Sequence, residues 1–195
     1  MRYKALGLLG LPYSGKTTIS RIFEKKLGYT VIQPSTILIE KIKERGLPVL
    51  RQNLEETYRM MADKEGMDIL AKLTLKRAGN IFVVIDGIRR STDLEYYKSH
   101  VVDLFSISVD VSEDIEESRR IRFERMLAAR RSIDQMLDWS SFCQMELSEL
   151  GPDQYLDLGR AMEKADKKII NSGSERSLEN RIKKMASEMF EPYAL

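Results

Sequence analysis

Residues 10–17 read Gly-Leu-Pro-Tyr-Ser-Gly-Lys-Thr, a G-x-x-x-x-G-K-[ST] spacing. No other stretch of the chain restricts its fold as much. The spacing describes a loop whose backbone N–H groups wrap a phosphate, and it needs a strand before it and a helix after it. Both are present: an apolar run, Ala5 to Leu9, precedes the loop, and a helical repeat of Ile19, Ile22, Phe23 and Leu27 follows it. The helix N-terminus adds positive dipole at the same place. Gly10, Ser14, Gly15, Lys16, Thr17 and Thr18 are therefore the expected nucleotide-binding residues. Lys16 would reach the β- and γ-phosphates, and the Thr17 hydroxyl would ligate Mg²⁺.

Composition excludes several alternatives. The chain has 195 residues, enough for one domain with a real core. Its 32 basic and 30 acidic residues leave a net charge of +2, which gives no general reason to expect nucleic acid or membrane as a partner. A single cysteine, Cys143, and a single histidine, His100, exclude an internal disulfide and a multi-histidine or multi-cysteine metal site. No apolar run approaches the ~18 residues of a membrane span. Arg2 and Lys4 ahead of Ala5–Tyr13 imitate a signal peptide, but the run ends in Ser14-Gly15-Lys16 without a small-residue cleavage site. A cytoplasmic protein is the expectation.

Apolar β-type runs alternate with helical patterns, the signature of an α/β chain. The expected strands are Lys4–Leu9, Thr30–Gln33, Ile81–Ile85, Leu104–Val109 and Lys168–Asn171. The run from Ile81 to Ile85 is apolar throughout, as a strand buried on both faces should be. Helices are expected over Ser35–Arg45, over Leu54–Arg77 with a break near Gly66, and over Ser112–Arg131, Ile133–Glu149 and Ser177–Met189. Right-handed crossovers would make all five strands parallel and place a ligand at their carboxyl ends.

Candidate chemistry gathers at those ends. Asp86 closes the third strand, where an acid can hold Mg²⁺ beside the loop. Arg89 and Arg90 follow it and could clamp a substrate phosphate, one of the two being solvated instead. Arg119, Arg122 and Arg125 share roughly one helix face, and Arg130 and Arg131 come soon after. Arginines on a mobile element stabilise the charge that spreads over a phosphoryl group in flight, so this stretch reads as a lid, with Arg120 solvated. The segment from Leu47 to Gly66 holds Arg51, Arg59 and Lys64 and could cover an acceptor; Arg59 is its candidate phosphate contact, against a surface pair with Glu55 or Glu56. His100 reads as a solvated loop residue, Cys143 as a small core residue, and Trp139 and Phe142 as packed together.

Together, the phosphate loop, Asp86-Gly87-Ile88-Arg89, the arginine-rich helix and Ala165-Asp166…Ile170-Asn171-Ser172-Gly173 resemble the P-loop nucleotide kinases. The nearest subgroup is the prokaryotic dephospho-CoA-kinase-like one, with nucleoside monophosphate kinases more distant. The likeness runs from about Tyr3 to Met189. It implies a three-layer α/β fold with a five-stranded parallel sheet in the order 2-3-1-4-5. It also implies a single kinase-like domain over 1–195, with an acceptor-side helical region at 35–78 and a lid at about 119–150. ATP and Mg²⁺ would be the cofactors, and a small nucleotide or phosphorylated molecule the acceptor. Lys16, Asp86, Arg125, Arg130 and Arg131 would be catalytic, Thr17 and Asp86 would hold the metal, and Asn171 would lie near the adenine or ribose. Ser35, Arg59 and Arg89 would meet the acceptor.

Two departures stand out. Tyr13 occupies a position where such kinases commonly have glycine, so its side chain must point outward or the loop must take another path. After the second strand, where an acid often orients the acceptor hydroxyl, the chain reads Gln33-Pro34-Ser35-Thr36, and Ser35 is also a good helix N-cap. Two rival readings follow: a nucleotide-binding switch with little turnover, and a kinase for polynucleotide ends suggested by the arginine cluster.

Overall fold

β1 (Ala5–Leu9) is buried along its whole length, and its side chains divide between two faces. Leu6 and Leu8 enter one apolar cluster while Ala5 and Leu9 enter another, the period-two alternation of a strand covered on both sides. The structure is a computed structural model that describes residues 3–79, 82–129, 138–151 and 155–190.

Four further strands join β1: β2 (Thr30–Ile32), β3 (Val83–Ile88), β4 (Leu104–Asp110) and β5 (Lys167–Ile170). Every pairing is parallel and the order is β2-β3-β1-β4-β5, as expected. Ile81 lies outside the described residues. The chain after β3, which carries Arg89, and after β5, which carries Asn171, therefore leaves the sheet on the same side as the phosphate loop.

α1 (Lys16–Leu27) and α9 (Glu175–Met189) cover one face of the sheet. α9 presents Leu178, Ile182 and Met185 at helical spacing, and its first turn is capped by the Ser174 hydroxyl, which accepts from the Ser177 N–H at 3.2 Å. Phe23, Tyr29 and Phe190 form an edge-to-face aromatic knot beneath them. The other face is covered by α4 (Ile69–Ala78), α5 (Ser91–His100) and α8 (Leu158–Glu163). α2 (Ser35–Glu44) and α3 (Arg51–Glu65) pack with α4 into a third cluster on the β2 side, around Leu38, Tyr58 and Leu70. α6 (Ile115–Ala129) and α7 (Trp139–Leu150) follow β4.

One helix and two packing assignments differ from the sequence reading. Ser91–His100 is helical, so His100 ends a helix rather than lying in a loop; its ring stacks on Tyr96 with centroids 3.9 Å apart. α5 is mostly polar, and its amino end is capped from a distance: the Ser91 N–H donates to Asp157 Oδ1 at 2.8 Å. Cys143 is half-buried rather than in the core. Trp139 and Phe142 each pack edge-on against Phe123, on α6.

Candidate functional site

The phosphate loop is held in a shape that only glycine allows at two positions. Gly15 has φ 108°, and a Cβ there would lie 2.3 Å from Asn171 Nδ2; Gly10 has φ 138°, and a Cβ there would lie 2.3 Å from the Val109 carbonyl oxygen. Tyr13 has φ 65°. The loop thus keeps the left-handed turn that a glycine would make, with an aromatic residue in it, at a backbone cost of roughly 1–2 kcal/mol. The ring lines the large cavity described below. Ser14 is fully buried and its hydroxyl has no hydrogen-bond partner. A buried orphan hydroxyl inside an amide-lined loop fits a phosphate oxygen.

Two residues brace the loop from outside. Asn171 Nδ2 donates to the Ser14 carbonyl at 2.9 Å, so this side chain holds the loop itself. Arg125 donates to the Tyr13 carbonyl at 3.3 Å and to the Asn171 carbonyl at 3.1 Å. Lys16 Nζ donates to the Gly10 and Leu11 carbonyls at 2.7 and 2.9 Å. Burial lowers the Lys16 ammonium from 10.5 to about 8; Asp86 opposes the shift and Arg89 adds to it.

Asp86 is buried in β3, opposite Leu8 of β1. Its Oδ2 accepts from Gln33 Nε2 at 3.2 Å, so the residue standing where an acid often follows the second strand binds the Asp86 carboxylate instead. Thr17 is exposed nearby, and Thr17, Gln33 and Asp86 line both the large cavity and a neighbouring one of about 380 Å³. One hydroxyl and one carboxylate suit Mg²⁺, which keeps several waters and takes phosphate oxygens. Among the described residues no group of three or more His, Cys, Asp or Glu side chains could hold a metal ion.

The large cavity, about 660 Å³, runs from the phosphate loop to α2 and α3. Its far half combines apolar walls, Leu38, Leu54 and Leu156, with Tyr58, Tyr155 and four arginines: Arg51, Arg59, Arg89 and Arg90. Arg90 is the buried member of the pair after Asp86. It donates to Asp93 Oδ2 at 2.7 Å and lies over the Tyr58 ring, 3.5 Å from its centroid. Burial pushes the Asp93 carboxyl up while Arg90 pulls it back. Arg89 is the more exposed member and donates to Glu149 Oε1 at 3.0 Å. Arg59 lies over the Tyr155 ring at 4.9 Å. Ser35 lines the cavity but is not a cap: Pro34 holds that position, and no side chain caps α2, which starts instead with the Thr36 hydroxyl bonded to the Gln33 carbonyl at 2.7 Å.

The arginine stripe does not act as one face. Arg122 is 1% exposed and donates to Glu146 Oε2 at 2.5 Å; Arg119 pairs with Glu146 and Glu116. Both are locked into helix–helix packing, which corrects their reading as lid donors. Arg125 alone of the three reaches the loop. Arg120 is exposed, as expected. Arg130 and Arg131 lie outside the described residues. Sequence reasoning missed Gln33, Glu146 and Glu149, which carry no local motif.

The fold and site define a P-loop kinase-like protein. A family model described as AAA domain matches residues 9–141, and the chain belongs to that family. It also belongs with the UPF0200 proteins: it is 31% identical to the UPF0200 protein of Methanoculleus marisnigri over 88% of each chain, and 29% identical to one of Methanococcus maripaludis over 93% of this chain and 97% of that one. It spans 55% of the length of the UPF0200/UPF0201 protein of Archaeoglobus fulgidus, at 29% identity over 95% of this chain. Among solved structures it resembles shikimate kinase from Acinetobacter baumannii, with a TM-score of 0.55 and 17% identity over 95% of this chain and 94% of that one. It also resembles deoxyadenosine kinase from M. mycoides, with a TM-score of 0.54 and 16% identity over 95% of this chain and all of that one. No helix among the described residues is long and apolar enough to cross a membrane.

Proposed function

We propose that the protein is an ATP- and Mg²⁺-dependent phosphotransferase that moves a γ-phosphoryl group to a small nucleotide or other anionic acceptor. The observation that carries this reading is one continuous cavity. It has Lys16, Thr17 and Asp86 at one end and Arg51, Arg59, Arg89 and Arg90 against apolar and aromatic walls at the other. The triphosphate binds the loop at Gly10, Ser14, Gly15 and Thr18, with the Ser14 hydroxyl gaining its missing partner. Lys16 leaves the Gly10 and Leu11 carbonyls for the phosphates. Thr17 and Asp86 hold the metal, which neutralises charge on the donor phosphates when bound. Arg125, with Arg130 and Arg131 beyond it, supplies positive charge from the segment at about 119–150, acting as a lid. The acceptor lies over the region at 35–78, its anionic group on Arg51 and Arg89 and its body near Ser35, Arg59 and Tyr58. Positioning and charge neutralisation supply most of the rate, because phosphoryl transfer asks little covalent chemistry of the protein.

Coupled ADP release, measured across a panel of nucleotides, dephospho-CoA and other small acceptors, tests the proposal. Acceptor-stimulated ADP formation that disappears in Lys16→Ala supports it; turnover retained in that variant overturns it. Gln33 bonded to Asp86 favours a second reading, a nucleotide-binding switch. Magnesium-assisted triphosphate binding with no stimulation by any acceptor would select that one.

A further inference from the structure

Glu149 joins three parts of the molecule that are distant in sequence. It sits on α7 with its side chain 3% exposed. Its Oε1 accepts from Arg89 Nη1 at 3.0 Å and from Arg51 Nη1 at 3.4 Å, while its Oε2 is buried without a partner. Arg89 follows β3 and Arg51 opens α3. Both guanidiniums line the large cavity, whereas the carboxylate lies behind them and does not.

This arrangement is costly unless the arginines are wanted together. Two guanidiniums drawn to one oxygen repel each other. Arg51 is also the first residue of α3, whose Leu50 N-cap offers no side-chain cap, so a cation sits at the positive end of a helix dipole. Leaving one oxygen of a buried carboxylate unbonded adds a desolvation cost. Both guanidiniums line the cavity, where their planar N–H donors match the geometry of an anionic ligand.

We propose that Glu149 is a positioning residue that holds Arg51 and Arg89 as a two-guanidinium clamp for the acceptor's anionic group. The inference rests on the phosphotransfer reading above, since it concerns the acceptor half of the same cavity.

The sign of the effect separates this role from that of a bystander. A bystander carboxylate repels an anion, so removing it strengthens anion binding; a positioning carboxylate weakens binding when removed, because the arginines splay. The probe is inorganic phosphate, measured by equilibrium dialysis on the full chain loaded with Mg²⁺ and a non-hydrolysable ATP analogue to block the phosphate loop. Glu149→Ala is expected to weaken phosphate binding about 10- to 100-fold, the usual loss when a group that orients ligand contacts is removed. Affinity for the ATP analogue is expected to fall far less than affinity for phosphate. Glu149→Gln keeps the acceptor oxygen and should bind at least as well as the wild type. Glu149→Asp keeps the charge but withdraws it by one methylene, so weaker binding there isolates geometry and serves if Glu149→Ala does not fold. Equal or tighter phosphate binding in the Ala and Asp variants overturns the inference, as does wild-type protein that binds the analogue but no phosphate. Failure of the wild type to bind the analogue overturns the phosphotransfer reading instead.

Discussion

Lys16 offers a test of the donor site that needs no acceptor. Burial holds its ammonium at about 8 in the ligand-free protein, against 10.5 for a free lysine. A polyphosphate beside it favours the charged form and should restore the value to 10.5 or above. Below pH 8 the lysine is charged with or without nucleotide, and affinity should not depend on its titration. Above pH 8 the free protein loses the proton and the complex regains it, so binding takes up a proton and weakens as pH rises. With a free-state value of about 8, affinity should fall about fivefold from pH 8 to 9 and about tenfold more from 9 to 10. The nucleotide's own last phosphate proton is lost at about pH 6 and stays outside this window. The same shift acts on folding: the unfolded chain binds the extra proton between about 8 and 10.5, so the ligand-free fold should gain stability as pH rises through that range. Calorimetry of Mg·ATP binding, in buffers of different ionisation enthalpy, reads the proton count directly. About 0.9 proton should be taken up at pH 9. Lys16→Arg, charged throughout, should remove the uptake. A pH-independent affinity from pH 7 to 9.5, or an unchanged slope in Lys16→Arg, would refute the assignment of Lys16 to the phosphates.

Two further outcomes follow from the packing. In Gly15→Ala the new Cβ would meet Asn171 Nδ2 at 2.3 Å at a φ of 108°, so the Asn171 bond to the Ser14 carbonyl must break. A loss of about 2–4 kcal/mol is expected from the orphaned groups and the strained backbone, read as a lower urea midpoint; an unchanged midpoint refutes it. Arg122→Met leaves Glu146 buried with Arg119 as its remaining partner, and should cost about 3 kcal/mol, the low end for breaking a buried pair. Adding Glu146→Leu should recover most of it, and a single variant as stable as the wild type would return Arg122 to the lid.

What the sequence makes legible here is what local rules determine. The sheet order follows from apolar runs alternating with helical ones, and the phosphate loop from glycines whose backbone angles no other residue holds cheaply. α5 escaped because its ten residues bury only Ser91, Asp93, Leu94 and Tyr97, too sparse a stripe to stand out, and because its cap, Asp157, lies 66 residues away. The acceptor half of the cavity escaped for the same reason on a larger scale. Glu149 meets Arg89 and Arg51 across 60 and 98 residues, and Arg122 meets Glu146 across 24. Arg122 and Arg125 show the limit most plainly. Their spacing places them close together on α6, yet one is locked onto α7 and the other reaches the phosphate loop. Helical spacing assigns residues to a face, but whether that face serves packing or chemistry depends on which element arrives opposite it. An arginine therefore becomes a candidate for chemistry only once every buried carboxylate within reach has been matched to a partner.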